Sequence, residues 1–272
     1  MTVAASAGVE LGSGNPAFGE QVVGTYLGPA RTETTAATMT VSGTVVKTFL
    51  FLVVLVAGGS WGWASATDPV ATDLGSGYGN TTVTIPGGFW LASIGAFFVG
   101  FVLIMNPRRA ALFGFVYALL EGYVLGAISA MYDAQTEGIV GAAVLSTVCV
   151  FLVALLLYVT RIIRPTQRMA FGVTAAIGGL CMLYLFVAVM SIFNWGWLYS
   201  DQFRTIGFII TLVSIVLAAL SLTLDFAMIE SGVASGAPRF MEWYCAYGLM
   251  VTLIWLYITL LRLLAMLSRN NN

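Results

Sequence analysis

Not one of the 272 residues is a histidine. That removes the commonest metal ligand, the usual general base and the side chain that most often senses pH near neutrality. Charge is scarce too: Asp, Glu, Lys and Arg make up 8% of the chain, against roughly 25% in a typical soluble domain. Cysteine is limited to Cys149, Cys181 and Cys245, an odd number with no CxxC spacing. Neither a disulfide framework nor a cysteine metal site is therefore expected, and all three are read as small core residues. There is no Gly-rich phosphate loop, nucleophile elbow, HExxH pair or EF-hand pattern, and no basic patch for nucleic acid. These absences leave no catalytic set, no metal ligands and no cofactor site, so the expectation is a protein that is not an enzyme. Any proton sensing has to rest on carboxylates.

What is present is apolar sequence in long runs. The mean hydropathy of +0.94 is too high for a water-facing surface. Runs at approximately 45–66, 88–105, 110–131, 138–160, 169–193, 205–228 and 240–266 approach the roughly 20 residues needed to cross hydrocarbon. With no water to satisfy the backbone there, each must be helical. The sequence predicts an all-α, polytopic seven-helix bundle over 41–268, with the second span the shortest. Residues 1–40, rich in Gly, Ala, Thr and Ser, read as a disordered tail.

Cations set the orientation. Arg108 and Arg109, then Arg161, Arg164 and Arg168, then Arg239 occupy alternate turns on the side of Arg31 and Lys47. The other side collects Asp68, Asp73, Asp133, Glu137 and Asp201, with Arg204 alone in its loops. Seven spans then give a multi-pass protein of the inner (plasma) membrane with a cytoplasmic N-terminus. Trp61, Trp63, Tyr132, Trp195, Trp197 and Tyr199 fall near the outer edges, as interfacial belts do. Gly58, Gly59 and Gly62 on the first span, and Gly114, Gly122 and Gly126 on the third, read as close-packing positions.

Four acids lie inside or beside apolar runs: Glu121, Asp225, Glu230 and Glu242. A charge at mid-bilayer costs at least about 2.5–3.5 kcal/mol, so such groups face the bundle interior, pair, or line water. Glu121 sits near the middle of the third span. Folding the chain about the turn-rich Ser231–Pro238 places Glu242 at nearly the depth of Asp225. Two carboxylates so placed share a proton or bind a cation; the alternative is two separate interfacial acids. Glu230, five residues and about 140° round the helix from Asp225, points elsewhere and reads as a solvated cap. Arg262 reads as snorkelling to the outer interface.

Three strings together resemble the transmembrane Bax inhibitor motif family, and more specifically its actinobacterial YccA-like branch. They are Tyr117-Ala-Leu-Leu-Glu-Gly-Tyr-Val-Leu-Gly-Ala-Ile-Ser129, Leu224-Asp225-Phe-Ala-Met-Ile-Glu230, and Gly236-Ala-Pro-Arg-Phe-Met-Glu242-Trp-Tyr244 followed by Leu260-Leu261-Arg262. Gly14-Asn15-Pro-Ala-Phe18 and Met39-Thr-Val-Ser-Gly-Thr-Val-Val-Lys47 fit that branch. The resemblance implies a last helix wrapped by the others, and a pH-gated calcium leak controlled by two aspartates on the last two helices. Asp225 matches the first. At the second, this chain has Thr252, so Glu121 or Glu242 would have to supply the other carboxylate. Calcium enters as a permeant ion, not a cofactor. The resemblance also implies an alternative function, a non-conducting partner that restrains a membrane-bound ATP-dependent protease.

Overall fold

The computed structural model describes residues 38–67, 83–163, 165–192 and 201–271. Most of the expected tail, Asp68, Asp73, Arg164, Trp195, Trp197 and Tyr199 lie outside these, as do the side chains of Asp201 and Arg204. Seven helices follow one another: α1 Val41–Thr67, α2 Phe89–Met105, α3 Ala110–Asp133, α4 Ile139–Val159, α5 Gln167–Ile192, α6 Asp201–Ala234 and α7 Met241–Asn271. The expected spans coincide with them to within a few residues, except that α6 runs on. Six helices are long and apolar enough to cross a membrane, while α2 is shorter at 17 residues. The protein is an all-α, multi-pass membrane bundle.

α7 is its axis. It packs against α1, α3, α4 and α6, whereas α2 leans on α3 and α5 on α6. No residue from Met241 to Met266 is exposed, which is the signature of a helix buried on every side. The continuous run Tyr244–Met250 forms the spine of the main apolar core. The outer helices turn large apolar side chains outward, such as Leu91, Leu145 and Phe171. Cys149 and Cys181 are among the outward-facing residues and Cys245 alone is buried. The expectation of three core cysteines is corrected accordingly: α4 and α5 are peripheral, so most of their surface meets lipid.

α1 and α3 meet backbone to backbone. A Cβ added at Gly62 would overlap the Tyr123 carbonyl, one at Gly122 the Leu55 carbonyl, and one at Gly126 the Gly59 carbonyl. The small-residue positions are thus the contact itself, and the absence of a lipid-excluded apolar driving force makes such close approach the main source of helix association here.

Helix ends follow local chemistry. At the end of α4, Ile162 N–H donates to Leu157 O and Arg161 N–H to Tyr158 O. This is a Schellman closure with a non-glycine, Arg161, at φ 55°. α6 ends in the same way, with Ala237 N–H to Gly232 O and Gly236 N–H to Val233 O, but with Gly236 at φ 67°. The expected turn at Ser231–Pro238 is therefore corrected: its first four residues complete α6, and only 235–240 make the turn.

Candidate functional site

The shifted turn sets the pairing across the α6–α7 hairpin. Asp225 is fully buried, and Thr252, also buried, donates its hydroxyl to Asp225 Oδ2 at 2.7 Å. Thr252 Oγ1 also lies 3.2 Å from Gly248 O on its own helix. Glu242 is ten residues from Thr252, about 15 Å along α7 at helical rise. The expectation that Glu242 shares the depth of Asp225 is thus corrected, because the turn was set four residues too early.

Glu242 instead anchors the start of the bundle. Its Oε1 accepts Thr40 N–H at 2.8 Å and Thr40 Oγ1–H at 2.9 Å. Its Oε2 takes the Lys47 ammonium in a buried ion pair, and that ammonium lies 5.1 Å from the centre of the Trp243 ring. Met39 N–H donates to Ala237 O at 2.8 Å, so residues 38–40, expected to belong to a loose tail, run pinned along the hairpin. An acid in the first turn of α7 also complements the positive end of the helix dipole.

Glu121 lies halfway along α3, half-buried, beside the Tyr117 and Tyr247 rings, which pack edge to face with their centres 5.1 Å apart. Among the described residues it accepts no hydrogen bond. Glu230 is exposed, as a solvated residue should be, and accepts the Tyr158 hydroxyl. Arg262 lies with its guanidinium 5.9 Å from the centre of the Tyr184 ring of α5. The structure therefore brings Asp225 and Thr252 together, and leaves Glu121, Glu242, Glu230 and Arg262 each in a separate setting.

Sequence reading by acids alone passes over a further feature. Thr211, Ser214, Ala218, Ser221 and Asp225 recur at intervals of three and four on α6, within an arc of about 80° round the helix. All five are at most 1% exposed. Thr211 and Ser214 donate back to the carbonyls of Gly207 and Ile210 at 2.8 Å, so these hydroxyls are satisfied locally. The polar seam reaches from the Arg262 level, where Gly207 lies, down to the Asp225–Thr252 bond. Its sequence signal is the Ser/Thr spacing inside an otherwise apolar span. Among the described residues no group of His, Cys, Asp and Glu side chains could hold a metal ion.

Separate from the seam, a cavity of about 850 Å³ lies between α1 and α4, floored by α3 and α7.

A membrane bundle wound round its last helix, with one buried carboxylate on the neighbouring helix, is the class of protein defined so far. A family model described as Bax inhibitor 1 like matches residues 15–269. The chain belongs to the Bax inhibitor 1-like family. No curated protein matches it.

Proposed function

We propose that the protein is a protonation-controlled passage for cations, calcium foremost, held closed in this conformation. The observation that carries this reading is the Asp225–Thr252 hydrogen bond, at the lower end of a seam of buried hydroxyls on α6. A carboxylate at that depth is costly and is retained where it serves an ion or proton path. Gain or loss of a proton on Asp225 changes the charge at the seam's end and the strength of its link to α7. Glu121, half-buried near mid-span on α3, is the second acid assigned to the path. The excess of Arg on the hairpin side supports a cytoplasmic position for that end and for the N-terminus, in an inner membrane.

Calcium flux into dye-loaded vesicles tests the proposal. The expected result is a several-fold difference between pH 6 and pH 8 that Asp225→Asn abolishes. Equal flux at both pH values, unchanged by that substitution, overturns it.

The second reading is a non-conducting regulator of a membrane-bound ATP-dependent protease, in keeping with the YccA-like resemblance. What favours it is Thr252 in place of a second acid, together with the pinning of residues 38–40 to the hairpin. Co-purification of a stoichiometric partner, lost on deleting residues 1–37 while the bundle stays folded, supports this reading.

A further inference from the structure

The cavity between α1 and α4 has a physical origin in the sequence. Glycines at 58, 59 and 62 draw α1 into backbone contact with α3, and α1 and α4 do not pack extensively on each other. The space between them is walled by Leu55, Val56, Val144 and Val148 and floored by Leu253 and Ile254. Val56, Val144, Val148 and Leu152 are exposed along its mouth, so the cavity opens sideways onto the same apolar surface that α1 and α4 turn to the bilayer. Water has few partners there: Ser129 and Tyr257 hydroxyls bond each other at 2.6 Å, and Thr147 Oγ1 donates to Ala143 O at 2.7 Å. An ordered water needs two to four polar partners.

On α1 the lining runs from Thr48 to Trp63, about 22 Å at helical rise. One leaflet's hydrocarbon is about 15 Å deep, so an extended acyl chain fits the groove lengthwise. We infer that the groove between α1 and α4 is a binding site for an acyl chain of a membrane phospholipid, held as an integral part of the bundle rather than exchanging as bulk solvent. Its continuity with the lipid-facing surface, its length and its dry apolar lining select this occupant over water or a polar ligand.

The test uses the full chain purified in mild detergent and delipidated by repeated exchange, with bound phospholipid counted by native mass spectrometry and phosphorus assay. Val148→Trp fills the groove from its open mouth; Leu145→Trp, on the outward face of the same helix and outside the lining, is the matched control. The expected result is about one phospholipid per chain in the wild type and in Leu145→Trp, and at least a five-fold loss in Val148→Trp. Val144→Phe is the second groove variant, should Val148→Trp melt markedly lower than the control. Equal lipid content in all the proteins overturns the proposal. So does wild type that carries no lipid yet melts normally, or a groove variant that changes oligomeric state instead of lipid content, which assigns the groove to a second copy of the chain.

Discussion

Asp225 of α6 and Thr252 of α7 are joined by a 2.7 Å hydrogen bond in which the hydroxyl donates to the carboxylate. Both side chains are buried, 27 residues apart in sequence, and the bond joins the two helices about 15 Å from their turn. A threonine gives the carboxylate a donor without adding a second charge. Replacing it by Val keeps the shape and removes that donor. Thr252→Val is expected to lower stability by about 1–3 kcal/mol, the cost of leaving a buried acceptor short of a partner, read as a lower midpoint of thermal unfolding in detergent. Asp225→Asn, which keeps an acceptor for Thr252, is expected to unfold close to the wild-type temperature while removing the pH dependence of flux.

Lys47 and Glu242 are 195 residues apart and form a buried ion pair. Removing one partner of such a pair leaves a desolvated charge and costs about 3–5 kcal/mol. Glu242→Met is expected to show that loss, and Lys47→Met/Glu242→Met to recover the part due to the stranded ammonium, while the Thr40 donors stay unmatched. A double-mutant cycle on melting free energies checks this; additive single effects would show that the pair is not coupled.

Gly126 tests the α1–α3 contact. Gly126→Ala places a methyl group into the Gly59 carbonyl and must push the helices apart, for an expected loss of about 1–3 kcal/mol. Gly141→Ala and Gly172→Ala, where an added Cβ meets nothing within 4 Å, are expected to leave the melting temperature unchanged or slightly raised.

The two Schellman closures predict effects of opposite sign. Arg161 holds a left-handed conformation, φ 55°, that costs an L-residue roughly 1–2 kcal/mol. Arg161→Gly is expected to stabilise by up to that amount, less the backbone entropy glycine loses. Gly236→Ala, at φ 67°, is expected to destabilise by a similar figure. Paired thermal melts at matched detergent concentration check both signs.

The bundle itself was legible because a span has to be helical and about 20 residues long, and lipid-facing helices carry that requirement openly in hydropathy. Gly58, Gly59, Gly62, Gly122 and Gly126 marked close packing on α1 and α3, while the pairing of these two helices with each other is visible only in the structure. The site was legible in part. Asp225 and Thr252 are both marked by the resemblance, but their bond depends on a helix end that composition hides. Ser231-Gly-Val-Ala234 has turn-like residues, yet it stays helical until Gly236 supplies the left-handed closure. That displacement moved Glu242 from the expected partner of Asp225 to the partner of Lys47. Nothing in local sequence links Lys47 to Glu242, because the link runs through the packing of α1 on α7. The groove was equally hidden, being a gap between helices and not a property of any one of them.

The glycine contact between α1 and α3 carries a mechanical consequence. Two helices whose carbonyls and α-carbons interlock over about two turns cannot slide or roll past each other without breaking every contact at once. They travel as one body. Opening of the proposed passage beside α7 would then displace that body as a whole, or α6 together with α5, which packs on α6 alone among its extensive contacts.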